Sequence, residues 1–261
     1  MTVACVFRKC RSRNEAALIV YYTAGFPTLD ASLETISMLA EAGADMVEVG
    51  IPFSDPVADG QTIQHASHTA LKQGVTLANI LKSLASIRLD VPVVLMSYLN
   101  PLLAYGMDGL MHDARDSGVS GFIVPDLPVE EGGLWEKKTR QAGLDLIYLA
   151  APTSSITRLT RIAARSSGFI YCVAVKGVTG VRQKRSADAK QLVRKIKTLT
   201  DTPAAVGFGV STPEQVRHAA GFADGVIVGS RIIQSIQQHE DTRALVRSMK
   251  KACRRPKGVS S

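Results

Sequence analysis

Short apolar runs alternate with amphipathic segments along the whole chain. Eight of these runs are rich in β-branched and aromatic residues and have the length of strands, while the segments between them show apolar positions at helical spacing. The predicted strands are 17–23, 45–50, 92–98, 121–125, 145–150, 169–175, 203–207 and 225–228. The predicted helices between them are Ala31–Ala42, Ile63–Gln73, Leu77–Arg88, Leu110–Ser117, Gly133–Ala142, Ile156–Ser166, Ala189–Leu199 and Pro213–Ala220.

Unbroken alternation of strands and helices predicts a parallel sheet, and eight such units predict that the sheet closes. The predicted fold class is therefore α/β, a (β/α)8 TIM barrel. Residues 1–261 are expected to form one domain with a short amphipathic N-terminal helix and a basic C-terminal tail. Helix starts are indicated by Asp30, Asp188 and the cluster Ser211-Thr212-Pro213-Glu214. An open doubly wound sheet is the alternative, but the segment 23–27 lacks the GxGxxG turn that it needs.

The second predicted strand carries one carboxylate among apolar residues. Side chains alternate between the faces of a strand, so Met46, Glu48 and Gly50 share one face while Val47 and Val49 share the other. In a closed barrel with helices outside, the two valines pack on helices and Glu48 points inside. Burial raises the pKa of a carboxyl group toward neutrality, and such a group suits proton transfer. Glu48 is therefore a candidate general acid and base.

The active site of a TIM barrel lies at the C-terminal ends of its strands. The residues predicted at these ends are Tyr21, Glu48, Tyr98, Asp126, Tyr171, Gly177, Gly207 and Gly229. The first five are mostly polar or aromatic and are typical of chemistry on an aromatic ligand. The glycine-rich segments 177–180, 207–211 and 225–230 let backbone N–H groups approach an anion, and Gly229-Ser230 precedes a helix. These glycine-rich segments predict a phosphate site. The alternative is that they form tight turns that merely need glycine.

Other candidate residues are open to plainer interpretations. Tyr171 faces inward by alternation and is either a site residue or a core aromatic whose hydroxyl bonds the backbone. Asp126 is interpreted as a loop cap. His65 and His68 are spaced i, i+3 on one predicted helix without an obvious third ligand, so we predict no metal site.

Composition excludes several classes of protein. Aromatic residues make up 5% of the chain and do not interleave with basic ones, which argues against nucleic acid binding. No apolar stretch approaches the roughly 18 residues that a membrane span needs. The four scattered cysteines indicate a reducing compartment without disulfides or zinc, and we expect a cytoplasmic protein.

The formal net charge of +8 favours a small anionic substrate. Part of this charge lies in a C-terminal run that we interpret as a solvated helix end and a frayed tail, namely Lys250, Lys251, Arg254, Arg255 and Lys257. The first 13 residues are also basic and lack acids, but they run straight into the first strand. They therefore predict an amphipathic helix rather than a transit peptide.

The motifs predicted at the mouth of the barrel resemble those of one known family. The PFSDPxADG loop at 52–60, the segments 177–180 and 207–211, and the pair Gly229-Ser230 resemble the tryptophan synthase α subunit, over about 17–235. The resemblance implies a retro-aldol cleavage of indole-3-glycerol phosphate to indole and glyceraldehyde 3-phosphate, without a cofactor in this chain.

The resemblance also implies a role for each matching position. Glu48 would move protons between the glycerol hydroxyl and indole C3, Asp59 would accept a hydrogen bond from the indole N–H, and Tyr171 would support Glu48 and the substrate. The residues that would wall the indole pocket are Tyr21, Met96, Tyr98, Ile123 and Phe208. The residues that would bind the phosphate end of the substrate are Thr179, Gly180, Gly209, Gly229 and Ser230.

A partner follows from the same resemblance. It implies a tryptophan synthase β subunit in an α2β2 heterotetramer, and this β subunit would carry pyridoxal phosphate and convert the indole to tryptophan. Pro52, Asp55 and Pro56 would contact it. The loop 177–187 would close over the substrate.

The sequence departs from the family pattern at three places. Val20 stands where a proline is usual, Phe26 stands in Gly-Phe-Pro where Gly-Asp-Pro is common, and Lys176 precedes the Gly-Val-Thr-Gly motif. Three functions stay open: an α subunit that needs β for its full rate, a stand-alone lyase that releases indole, and a barrel that only activates β. Glu48 and Asp59 argue against the third, and the intact loop at 52–56 argues against the second.

Overall fold

A computed structural model of the chain describes residues 1–173, 182–207 and 209–255, and for 182–185 the backbone alone. The strands in these ranges are β1 (Ala17–Thr23), β2 (Met46–Gly50), β3 (Val93–Met96), β4 (Val119–Ile123), β5 (Asp145–Ile147), β6 (Leu149–Ala150), β7 (Ile170–Val173), β8 (Ala204–Gly207) and β9 (Gly225–Val228). The helices are α1 (Val3–Ser12), α2 (Leu29–Glu41), α3 (Gln61–Lys72), α4 (Leu77–Leu84), α5 (Leu99–Tyr105), α6 (Met107–Asp116), α7 (Gly133–Ala142), α8 (Ile156–Arg165), α9 (Arg182–Lys197), α10 (Pro213–Ala220), α11 (Ser230–Gln237) and α12 (Thr242–Ala252).

These strands form one parallel sheet that closes into a barrel. Their order is β5-β4-β3-β2-β1-β9-β8-β7-β6. Only Tyr148 separates β5 from β6, and the two pieces pair with β4 and β7 respectively. They therefore act as the single strand predicted over 145–150, and the prediction of a (β/α)8 barrel is confirmed. The assignment of 1–261 to one domain stays a prediction.

Several predicted bounds are wrong: β4 covers Val119–Ile123 rather than 121–125, α4 ends at Leu84 rather than Arg88, and α2 begins at Leu29 with Thr28, not Asp30, as its cap. Two further differences change the assignment of an element. α9 begins at Arg182 rather than Ala189, so Asp188 lies inside the helix and does not cap it. The strand predicted over 92–98 ends at Met96, and Tyr98 is the residue before a helix, α5, that the pattern did not predict. A proline in the first turn of a helix is tolerated because the N–H groups there have no intrahelical partner, and Pro101 occupies such a position. Residues 174 and 175 of the predicted sixth strand lie outside the described residues.

The apolar side chains form one cluster inside the barrel and another between the sheet and the outer helices. Val47 and Val49 belong to the outer cluster and Met46 to the inner one, which confirms the alternation predicted for β2. The apolar face of α1 joins the inner cluster, where the rings of Phe7 and Phe169 are 5.6 Å apart. This helix therefore covers the N-terminal ends of the strands, and the opposite end of the barrel is left for a site.

The interpretation of the C-terminal run as solvated is wrong for two of its members. Lys250 Nζ lies 3.0 Å from Glu15 Oε2 and 2.8 Å from Asp45 Oδ2. Arg255 donates hydrogen bonds to the carbonyl of Ala220, the last residue of α10, and to that of Ala223 in the loop before β9, and its side chain is only 10% exposed. Lys251 and Arg254 are exposed as predicted, and Lys257 lies outside the described residues. In the ranges that the structure covers, no helix is long and apolar enough to cross a membrane.

Candidate active site

Glu48 lies in the middle of β2 and points into the barrel. Its side chain is fully buried, and neither carboxylate oxygen has a hydrogen-bond partner among the described residues. Burial, followed by the charge of Asp59, raises the pKa of Glu48 to about 8. The buried position predicted from strand alternation is confirmed, and the carboxyl group keeps its proton at neutral pH.

Tyr21 stands beside Glu48 on the neighbouring strand. The two residues are partners in the β1–β2 register, and the Tyr21 hydroxyl lies 3.2 Å from Thr23 Oγ1. Two glycines make room for the tyrosine. A Cβ atom added to Gly50 would collide with the hydroxyl, and one added to Gly229 would lie 3.2 Å from Tyr21 Cβ. Packing alone therefore explains part of the need for glycine at 229.

Asp59 lies near the end of the loop that follows β2, close enough to Glu48 for its charge to act on that carboxyl group. Tyr98 holds this loop. Its hydroxyl accepts a hydrogen bond of 2.9 Å from the Ala58 N–H, and its ring packs on Phe53 with centroids 5.2 Å apart. Burial first, and then the charge of Asp59 and a hydrogen bond with it, raise the pKa of Tyr98 to about 12. The phenol is therefore a neutral hydrogen-bonding group that fixes the carboxylate at the mouth.

Tyr171 reaches the same space from β7. Burial, and then the charges of Glu48 and neighbouring groups, raise its pKa well above the ordinary value for tyrosine. A Cβ atom added to Gly207 would lie 2.6 Å from the Tyr171 hydroxyl, so this glycine also makes room for a phenol. No hydrogen bond to that hydroxyl occurs in the described part of the chain, so the alternative interpretation, a core aromatic bonded to backbone, finds no support there.

The predicted walls of the aromatic pocket lie at the same end of the barrel. Met96 and Ile123 are register partners on β3 and β4, and Met96 also pairs with Gly50. Both side chains belong to or pack against the inner cluster. The structure thus brings Met96 and Ile123 to the barrel interior beside the strand that carries Glu48, while Phe208 lies outside the described residues.

The predicted phosphate site is described only in part. Gly229 is the residue before α11, and Ser230 is the first residue of that helix. N–H groups in the first turn of a helix have no intrahelical partner and favour an anion. Gly209 has a φ of +49° with open space where a side chain would stand, so it suits close approach of backbone to a ligand. Thr179 and Gly180 lie outside the described residues.

The loop predicted to contact a partner presents some residues and hides others. Asp55 is exposed and accepts a hydrogen bond from the Ser54 hydroxyl, and Pro56 is partly exposed. Val57 is 83% exposed, the largest exposure among the large apolar side chains of the described residues. Pro52 is buried within this chain. Any contact with a partner would therefore involve the tip of the loop, with Pro52 shaping its base.

The interpretation of Asp126 as a cap is confirmed. Its Oδ1 accepts a hydrogen bond of 2.9 Å from the Leu99 N–H, at the start of α5. His65 packs edge-on against Phe26, with ring centres 6.3 Å apart. Among the residues that the structure describes, no group of three His, Cys, Asp or Glu side chains could hold a metal ion.

Two of the departures from the family pattern pack in the outer apolar cluster rather than in the barrel interior. Val20 belongs to the outer cluster. Phe26 is buried in that cluster, and its carbonyl accepts a hydrogen bond of 2.9 Å from the Tyr22 hydroxyl. Neither residue displaces a predicted site residue. Lys176 lies outside the described residues.

Thr23 and Gly50 were not predicted as site residues, although a signal was present. Each follows a predicted site residue by two positions, Tyr21 and Glu48 respectively, and therefore faces the same side of its strand. The two are also register partners. Alternation extended by one step along each strand would have found them.

Comparisons with known proteins agree on one family. A family model described as tryptophan synthase alpha chain matches residues 7–259. Relatives with that name from Carboxydothermus hydrogenoformans and Methanosarcina mazei are 47% and 45% identical, over 91% and 90% of this chain and 90% and 86% of their own lengths. A tryptophan synthase structure from Mycobacterium tuberculosis has a TM-score of 0.91 at 37% identity and covers 97% of this chain and 98% of that chain. The corresponding alpha chain from Legionella pneumophila has a TM-score of 0.87 at 32% identity, covering 99% of this chain and 100% of that chain.

Proposed function

The chain belongs to the tryptophan synthase alpha chain family, and from that premise we propose that Glu48, Asp59 and Tyr171 act on the substrate at the mouth of its barrel. The reaction is that of a carbon–carbon lyase, the cleavage of indole-3-glycerol phosphate to indole and glyceraldehyde 3-phosphate. The observation that carries the proposal is Glu48, a buried carboxyl group without a hydrogen-bond partner in the described residues and with a pKa of about 8.

Glu48 is the general acid and base. Indole leaves poorly as a carbanion, so C3 must gain a proton before the bond from C3 to the glycerol chain breaks. A carboxyl group that keeps its proton at neutral pH supplies this proton. The resulting carboxylate takes the proton of the adjacent glycerol hydroxyl, and that carbon becomes the aldehyde of glyceraldehyde 3-phosphate. The net proton change is zero, as a cleavage without water requires.

Asp59 accepts the hydrogen bond of the indole N–H. Protonation at C3 puts positive charge on the indole ring, and a carboxylate at the nitrogen stabilises it. Tyr98 supports this role because it contacts both Asp59 and the preceding Ala58. Tyr171 is the proposed hydrogen-bond donor to Glu48 or to the substrate during the reaction, and the effect of the Glu48 charge on its pKa supports this.

The substrate lies with its indole ring in the barrel and its phosphate at the glycine-rich end. Tyr21, Met96, Tyr98, Ile123 and Phe208 wall the ring. Thr179, Gly180, Gly209, Gly229 and Ser230 bind the phosphate, and the helix that starts at Ser230 supports this because its first N–H groups favour an anion. We propose that the chain needs no cofactor of its own.

A β chain is the expected partner of this family, and the exposed apolar side chains suggest where it docks. Val57, Leu103, Leu134 and Ile156 are 83%, 51%, 57% and 59% exposed. They follow β2, β3, β4 and β6, which are consecutive positions around the barrel, so they lie on one side of its mouth. Together with Asp55 and Pro56 they form the surface that we call the mouth rim. We propose that this rim binds a β subunit carrying pyridoxal phosphate, in an α2β2 heterotetramer.

The test follows indole release from indole-3-glycerol phosphate by the purified chain, with and without a β subunit. Strong stimulation by β supports an α subunit. A fast rate without β supports a stand-alone lyase, and β activation without any cleavage supports a regulatory barrel.

Replacement of the proposed acid tests the mechanism. Glu48→Gln should lower kcat by about 10²–10⁴-fold, the usual contribution of a positioned acid or base. Glu34→Gln, an exposed change on α2, is the matched control and should leave the rate unchanged. Retained cleavage in Glu48→Gln would refute the role of Glu48, whatever the effect of β.

A further inference from the structure

Thr23 and Tyr21 form a hydroxyl pair next to Glu48. Both are buried, with 0% and 5% exposure, and their oxygens are 3.2 Å apart. Tyr21 is the register partner of Glu48, and neighbouring strands lie about 4.8 Å apart, so the phenol and the carboxyl group leave the sheet side by side. The phenol is thus a potential hydrogen-bond donor to Glu48.

The ring of Tyr21 is held where it stands. Gly50 leaves space for the hydroxyl, and the backbone of Gly229 supports the other end of the ring. Thr23 is the register partner of Gly50, so its hydroxyl lies on the side of the phenol that faces the mouth. The remaining freedom of Tyr21 is the direction of its hydroxyl proton.

Several titratable groups surround Glu48. Tyr21 faces it from β1, Asp59 from the loop after β2, and Tyr171 from β7. Tyr98 lies beyond, beside Asp59. The β3 residue in register with Glu48 is Val94, which does not titrate. The negative charge of Asp59 favours a protonated Glu48, whereas a phenol that donated to Glu48 would favour its carboxylate. Neither Tyr21 nor Tyr171 donates a hydrogen bond to Glu48 in this structure, since both Glu48 oxygens lack partners among the described residues.

We propose that Thr23 is a positioning residue whose Oγ1 accepts the hydrogen bond of the Tyr21 hydroxyl, which keeps the phenol from donating to Glu48 and so keeps a proton on Glu48 for delivery to indole C3. This inference rests on the proposed function of Glu48. It adds that the protonation of the acid depends on a threonine that acts through Tyr21.

The experiment compares pH profiles of kcat/KM for four variants. Thr23→Val removes the hydroxyl and keeps the shape, so the freed Tyr21 should donate to Glu48. The alkaline limb, expected near pH 8, should then move to lower pH, and kcat/KM at pH 8.5 should fall by about tenfold with little change at pH 6. Thr23→Ser should keep the limb in place. The double variant Thr23→Val with Tyr21→Phe should return the limb toward pH 8, because no phenol remains to donate.

That restoration distinguishes positioning from a structural role. A merely structural loss at Thr23 would be worsened, not reversed, by a second change in the barrel. Thr242→Val is the matched control, since it removes one hydroxyl of another buried pair, Ser235 and Thr242, with oxygens 2.8 Å apart between α11 and α12. It should leave the limb unmoved. If the alkaline limb of the kcat/KM profile of Thr23→Val stays at the wild-type pH, the inference is overturned. It is also overturned if the limb of the double variant stays at the lower pH.

A direct titration separates this inference from the proposed function. The ¹³C carboxyl signal of Glu48 in the substrate-free protein can be assigned by its absence from Glu48→Gln. If Glu48→Gln retains activity, the proposed function fails, yet this signal still reports whether Thr23→Val lowers the pKa of Glu48. An unchanged titration in Thr23→Val would overturn the inference while leaving Glu48 as the acid.

Discussion

Asp45 precedes β2 at the closed end of the barrel, and Glu48, three residues later, points toward its mouth. Asp45 Oδ2 accepts hydrogen bonds of 2.8 Å from both the Leu18 N–H and Lys250 Nζ. Glu48 is more deeply buried, yet neither of its oxygens has a partner among the described residues. A buried charge is costly unless it is paired. The paired carboxylate therefore serves the fold, and the unpaired one is available for chemistry.

The ions at the closed end include a second carboxylate, Glu15, which contacts Lys250 and Arg254. Burial works to raise the pKa of Glu15, but the hydrogen bond and charge of Lys250, and then those of Arg254, outweigh it and lower the pKa below its ordinary value. Burial likewise opposes the charge on Lys250, but Asp45 and Glu15 raise its pKa to about 12. We call Glu15, Asp45 and Lys250 the closed-end triad.

The two ends respond to pH in opposite ways. Glu15 binds its proton more weakly in the folded protein than in the unfolded chain, so its contribution to stability is present above its ordinary pKa and is lost as the pH falls. Glu48 binds its proton more tightly when folded. Its cost is absent below about pH 4.5, grows as the pH rises, and reaches its full size above about pH 8. Acid therefore weakens the closed end, and alkali weakens the mouth.

The largest expected effect comes from removing the cation of the closed-end triad. Lys250→Met leaves the buried Glu15 and the partly buried Asp45 without their shared partner and should lower the free energy of unfolding by about 3–5 kcal/mol. Urea unfolding at pH 7 measures this loss. Lys251→Met, an exposed neighbour on the same helix, is the control and should change stability by less than about 0.5 kcal/mol. A loss below about 1 kcal/mol in Lys250→Met would contradict the assignment of the triad to stability.

The next effect, of opposite sign, is expected at the mouth. Glu48→Gln cannot ionise, so its stability relative to the wild type should improve by about 3 kcal/mol between pH 5 and pH 8, the range in which Glu48 loses its proton in the unfolded chain but keeps it in the folded protein. Comparing the two pH values cancels the pH-independent cost of burying an amide. Urea unfolding of both proteins at both pH values measures the change. A difference that does not vary with pH would show that Glu48 is already solvated or paired.

A smaller effect is expected where the closed end meets solvent. Arg254 Nε lies 3.2 Å from Glu15 Oε1, but the Arg254 side chain is 74% exposed. An exposed ion pair contributes little, and Glu15 keeps Lys250 as a partner. Arg254→Met should therefore cost less than about 1 kcal/mol in urea unfolding at pH 7. A loss comparable to that of Lys250→Met would mean that the triad depends on Arg254 as well.

Sequence patterns were sufficient to predict the barrel fold and the inward position of Glu48, because both depend on local periodicity. Alternation places Glu48 inside without knowledge of any other strand. Lys250, which pairs with Asp45, is 205 residues away from it in the chain. In the sequence this lysine belongs to a basic run that is typical of a solvated helix end, and only the fold shows that it lies next to the first two strands. Long-range pairing of this kind has no signature in spacing.

Local geometry explains the remaining errors. The strand over 145–150 looked continuous, but Tyr148 interrupts the ladder, and its hydroxyl donates a hydrogen bond of 2.6 Å to Glu136. Helix α5 was not predicted because Tyr98 was assigned to the end of the preceding strand. The start of this helix is capped by Asp126, which lies in the loop after β4. The need for glycine at 50 and 207 comes from phenol rings on adjacent strands, which only the register reveals.

The smallest effect on stability is expected at the mouth rim, where the comparison of the two ends also predicts a functional difference. Val57 is 83% exposed, so Val57→Ser removes almost no buried apolar surface and should change the free energy of unfolding by less than about 0.5 kcal/mol. If the rim binds a β subunit, the same change should weaken the stimulation of indole release by β and leave the rate without β unchanged. Ala4→Ser, exposed on α1 at the closed end, should alter neither quantity. Full stimulation of Val57→Ser at limiting β would place the docking surface elsewhere, because an apolar side chain at the centre of an interface contributes through the water it excludes.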